Sequence, residues 1–152
     1  LKVLETGAID WWKMPTVFCM VRLAGGTTVQ SHFWQSIVLC VDLIIVIYIW
    51  LNNFSIKIKS AALFVGILLA SPYTWDYDLS ILIFPILILD NLLSDRGKTI
   101  FEKCLFVVCW FLPMISSVFA LMYKIQIAPP VLIILLFYIL ILGKYIKHSA
   151  SL

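Results

Sequence analysis

Asp76 and Asp78 stand two residues apart in "SPYTWDYDL", Ser71 to Leu79, with Tyr73, Trp75 and Tyr77 interleaved. Directly before them runs "KSAALFVGILLA" and directly after them "SILIFPILIL". A segment that only filled a bilayer would have no use for two carboxylates there, so the residue types point to an acidic, aromatic-lined pocket. Asp76 and Asp78 also spell D-x-D, a pattern that binds a divalent metal in soluble nucleotide-sugar transferases. Those enzymes build it on a Rossmann-like domain that this chain lacks, so neither a metal ligand nor a cofactor is assigned. Arg22 and Lys13 are the candidate anion ligands upstream. An arginine fork suits a phosphate through two parallel hydrogen bonds, and the bland alternative is that both cations snorkel to water.

Other polar residues have weaker claims. Asp42 falls near the centre of an apolar run, where an ionised carboxylate is costly and faces a bundle interior. A structural hydrogen bond to a neighbouring Ser, Tyr or backbone group is the favoured reading, with a proton or substrate role as the other. Asp90 reads as a helix-end residue close to Arg96 or Lys98. His32 and His148 have no partners at useful spacing. Cys19, Cys40, Cys104 and Cys109 lack CxxC or His spacing and read as small buried hydrophobes.

The elements that must position these residues are membrane helices. Of 152 residues, 63% are hydrophobic and 12% charged, and the mean hydropathy is +1.07, far above soluble-domain composition. A bilayer core of about 30 Å asks for about 20 helical residues. The expected architecture is all-α and integral to the membrane, with about five spans at residues 33–51, 56–70, 79–93, 104–123 and 128–146. Pro113 should kink the fourth, and Pro129 and Pro130 suit the first turn of the fifth. The sequence begins at Leu1 without a signal-peptide pattern, and the N-terminal part of a longer protein is expected before it.

Basic residues orient the spans. One side collects Lys57, Lys59, Arg96, Lys98, Lys103, Lys144 and Lys147, and the other Lys2, Lys13, Arg22 and Lys124. The positive-inside rule makes the first side cytoplasmic, with the C-terminus, and turns the Asp76–Asp78 loop outward together with residues 1–32. The net charge of +3 is thus a topology signal and not a nucleic-acid signal. The second and third spans are short, so the loop between them should be recessed. Backbone at such depth persists only when buried in protein or lining a wet cavity. Residues 15–24 follow Pro15 and precede Gly25 and Gly26. They are too few to span and, with Trp11 and Trp12 beside them, read as a helix lying in the headgroup region.

Together, "KMPTVFCMVRLAGG", a span containing Gln35, and "LLASPYTWDYDLSILIFPILIL" resemble the C-terminal part of glycosyltransferase family 87. These are multi-spanning enzymes of the GT-C type, exemplified by mannosyltransferases that use polyprenyl-phosphate mannose. The resemblance implies an inverting transfer of a hexose, mannose in the known cases, from a polyprenyl-phosphate carrier to a hydroxyl of a lipid or glycan acceptor. It implies the outer face of a bacterial plasma membrane as the setting and membrane lipids as neighbours. Arg22 and Lys13 would hold phosphate, Tyr73, Trp75 and Tyr77 sugar or lipid, and Asp76 and Asp78 sugar hydroxyls or a catalytic partner. Asp78, fixed by the span that follows it, is expected to be the more sensitive of the two. The main base belongs to an outward loop upstream of this chain. Tyr77 and Asp78 stand where the better-known branch carries histidines, which leaves sugar and acceptor open. The rival class is a segment of a membrane transporter with a recessed acidic substrate loop.

Overall fold

Hydroxyl side chains set the helix starts. Thr16, Thr27, Ser55 and Thr99 each accept a hydrogen bond from the backbone N–H three residues on, satisfying donors that a helix N-terminus leaves unpaired. Thr27 and Thr99 form complete capping boxes with Gln30 and Glu102, as the S/T-x-x-E/Q pattern requires. The computed structural model describes residues 11–94 and 96–149, with side chains to residue 146. Lys2, counted in the charge balance, lies outside the described residues, as do the side chains of Lys147 and His148.

The chain is all-helical, at 81% helix with no strand among the described residues. A 3-10 turn at Trp11–Lys13 leads to α1 (Val17–Leu23), α2 (Thr28–Leu51) and α3 (Ile56–Ala70). A 3-10 segment, Asp76–Leu82, leads into α4 (Ile83–Leu93), followed by α5 (Ile100–Tyr123) and α6 (Ala128–Ser149). Lys124 ends α5 in the left-handed conformation, with φ 56°.

Three helices are long and apolar enough to cross a membrane: Thr28–Leu51, Ile100–Tyr123 and Ala128–Ile146. Five were expected. The difference lies in α3 and α4, whose 15 and 11 residues give about 22 and 16 Å of helix at 1.5 Å per residue. Residues 79–82, assigned to the third span, belong to the 3-10 segment instead. The short α3 is the hub of the bundle, packed against α2, α4 and α6. Its Ala61, Ala62, Val65, Leu68 and Leu69 form the middle of the core. Outward, the long helices present large apolar side chains such as Ile44, Leu51, Ile100 and Met122, a surface suited to lipid.

Gly143 lets α6 approach the α2–α3 connection. A Cβ there would stand 2.8 Å from the Phe54 ring and 3.0 Å from Ile58. Gly143→Val should overpack this contact and cost about 1–3 kcal/mol, read as a lower thermal midpoint in detergent. An unchanged midpoint would mean that α6 is not held where Gly143 puts it.

The two ends of the bundle differ in chemistry. At one end Lys98 pairs with Asp90, as expected for a helix-end acid, and Lys57 donates to the Asn91 side chain at 2.6 Å. The buried Glu102 accepts from the Thr99 N–H at 2.7 Å and from Arg96 and Tyr138. Lys59, Lys144 and Arg96 lie over the rings of Trp50, Tyr48 and Tyr145. This is the cation-and-aromatic collar typical of a membrane interface. The other end carries the 71–82 loop.

Candidate functional site at the acidic loop

Pro72 removes a backbone donor and disfavours helix at Ser71, and α3 stops at Ala70. Thr74 turns inward, its hydroxyl donating to the carbonyls of Leu68 at 3.3 Å and Ser71 at 3.4 Å. Asp78 closes the next turn: its Oδ2 accepts the Trp75 N–H at 2.8 Å. Leu79 and Leu82 are buried and anchor the 3-10 segment, which packs on α5.

That docking sets the depth of Asp76. Its carboxyl meets the Ser117 hydroxyl within electrostatic reach of the Lys13 ammonium, and its Oδ1 is buried without a hydrogen-bond partner. Ser117 lies six residues before the end of α5 at Tyr123, about 9 Å along the helix. The loop is therefore recessed below the end of its neighbour, as the short flanking helices require. Burial raises the Asp76 carboxyl above the ordinary aspartate range, and Ser117 and Lys13 oppose it only in part.

The aromatic residues stay available. Tyr77 is 70% exposed and Tyr73 43% exposed, while Trp75 stacks parallel to Tyr77 at 6.3 Å between ring centres. An apolar cavity of about 210 Å³, lined by Leu79, Ile83, Ile86, Cys109, Trp110 and Pro113 among others, opens beside the 3-10 segment and between α4 and α5.

The N-terminal helix is shorter than the expected 15–24. The helix is seven residues, Val17–Leu23, and Met14, Val17, Phe18 and Cys19 are buried. It packs against α2 and is built into the end of the bundle. Two glutamines hold it there. Gln35 on α2 accepts the Phe18 N–H at 3.1 Å and donates to the Leu69 carbonyl at 3.0 Å. Gln126 donates to the Met14 carbonyl at 3.2 Å while accepting from Ser116. The Cys19 thiol, buried beside Thr16, is pushed up to about 11 by desolvation, which leaves it unreactive at neutral pH.

The structure thus puts Lys13 within electrostatic reach of Asp76, its ammonium 4.7 Å over the Trp12 ring, and leaves the Arg22 Nε buried without a hydrogen-bond partner. The Arg22 guanidinium lies 4.3 Å over the Trp11 ring and Nη1 donates to the Gly26 carbonyl at 3.1 Å, so one prong of its fork is occupied. His32 packs its ring against Phe18 at 4.8 Å. Of the cysteines, Cys19 and Cys109 are buried as expected, whereas Cys40 and Cys104 are exposed on the outer faces of α2 and α5. Asp42 is buried, but its Oδ1 lacks the hydrogen bond expected of it. Ser117, Gln126 and the bridging role of Gln35 were not foreseen. Their signal was present as polar residues inside or between apolar helices, without a local pattern to say what they meet.

The chain matches no protein-family model, no curated protein and no solved structure. The likeness to glycosyltransferase family 87 therefore rests on the quoted residues alone.

Proposed function

We propose that the protein is a membrane glycosyltransferase of the GT-C type, similar to family 87, moving a hexose from a polyprenyl-phosphate carrier to a hydroxyl on a lipid or glycan. In this reading α3 and α4 are short passes of a five-pass bundle. The acidic loop faces the outside of a bacterial plasma membrane and the basic collar faces the cytoplasm. The observation that carries the proposal is Asp76 set against Ser117, with the Lys13 charge acting on it, in a recess flanked by exposed Tyr73 and Tyr77.

Each part has a task that sugar transfer from a lipid phosphate requires. A cation stabilises the departing phosphate, and Lys13 is the one beside the acid. Aromatic faces hold an apolar sugar face, and Trp75 and Tyr77 present parallel rings. Asp76 is proposed to meet a sugar or acceptor hydroxyl, which requires the recess to open to its buried, unpaired Oδ1. Asp78, spent on the Trp75 N–H, shapes the loop. The base that takes the acceptor's proton is proposed to come from an upstream outward loop.

The test is product analysis. Membranes containing the protein in its whole reading frame should transfer hexose from a polyprenyl-phosphate donor and invert the anomeric configuration. Donor left intact across acceptor lipids and glycans would reject the enzyme reading.

A further inference from the structure

Near the middle of α2 the Asp42 side chain is 3% exposed, and its Oδ1 has no hydrogen-bond partner. It points at Gly66 of α3, where an added Cβ would stand 2.9 Å from Oδ1 and 3.4 Å from Oδ2. Beside it lies a cavity of about 80 Å³, whose other seven lining residues are all apolar and come from α2, α3 and α6, Leu69, Leu136 and Phe137 among them. None of those seven is titratable or carries a side-chain oxygen or nitrogen.

That surrounding decides what the carboxyl can hold. A hard metal cation needs about six oxygen ligands, and the cavity offers one carboxylate. No lysine or arginine lines it to form a pair. An ionised, uncompensated carboxylate so placed costs several kcal/mol. The one ligand that a lone carboxyl binds unaided is a proton. We propose that Asp42 and the cavity at Gly66 form a proton-binding site inside the bundle, with the acid form filling the contact between α2 and α3. Gly66 serves it by leaving room for the carboxyl, which any larger residue would displace. The site is separate from the acidic loop, and its existence does not depend on what chemistry the loop performs.

Infrared spectroscopy of the protein in lipid bilayers at neutral pH tests this. Wild type should show an absorption of a protonated carboxylic C=O that Asp42→Asn abolishes and Asp42→Glu moves. Asn has the shape of the acid form, so the Asn variant should fold with an undiminished thermal midpoint. Should it not fold, the Glu variant alone decides, since only a band belonging to residue 42 moves with it. Absence of an acid band in wild type, or a band that neither substitution changes, would overturn the proposal.

Discussion

If the protein transfers hexose as proposed, Asp76→Asn is expected to lower that transfer by about tenfold or more while leaving the protein folded, a loss of about 1.4 kcal/mol of transition-state stabilisation. Asn keeps the shape of the side chain and removes the charge that faces Lys13. Activity and stability should move in different directions. Because burial raises the Asp76 carboxyl, the folded protein holds that proton more tightly than the unfolded chain does. Its contribution to stability is present at low pH and is lost as pH rises through the folded value. Wherever the side chain is ionised it weakens the fold, and Asn removes that burden. Wild-type activity should fall on acidification at a pH above the ordinary aspartate range, and the variant should lose that limb. Asp78→Asn ranks below it in charge effect, reversing the order expected from sequence, because Asp78 is a turn-closing group. Full activity with an unchanged acid limb in Asp76→Asn would make the loop scaffold.

Gln35→Leu should be the most damaging single change to the fold at this end. It strips the Phe18 N–H of its acceptor and the Leu69 carbonyl of its side-chain donor in one step. A buried group left unpaired costs about 1–3 kcal/mol, so a loss of about 3 kcal/mol is expected. The damage should begin at α1, since Gln35 ties Phe18 to the end of α3. Cys19, buried on that helix, reports it. Peptide-resolved maleimide labelling should find Cys19 inert in wild type and reactive in the variant, with Cys109 protected in both. Equal protection of Cys19 in the two proteins would show that packing by Met14 and Phe18 suffices without the glutamine.

Much of this architecture could be read from the chain because helix ends and apolar runs are local signals. The boundaries at Leu51, Ile56, Ala70, Leu93, Tyr123 and Ala128 were all legible, as was the pairing of Asp90 at the basic end. The recess of the acidic loop also followed from helix length alone. What could not be read depends on which face meets which neighbour. Nothing local distinguishes Asp78, which folds back on Trp75, from Asp76, which reaches α5. The contacts of Arg22 with Trp11 and Gly26 were hidden too, because they are set by the fold of the segment around it. The depth of Phe18 was equally hidden, since a seven-residue apolar helix reads the same on lipid as under a bundle.

Sidedness of transfer tests the central claim most directly. Sealed vesicles of known orientation carry the protein, a labelled polyprenyl-phosphate hexose and a membrane-impermeant glycosidase on one side. The account predicts that labelled product forms only on the face where a cysteine placed at Tyr77 reacts with an impermeant maleimide, and that no free hexose crosses the bilayer. Labelled hexose appearing inside the vesicles without product, or position 77 labelling from the face that carries Lys57 and Arg96, would contradict it.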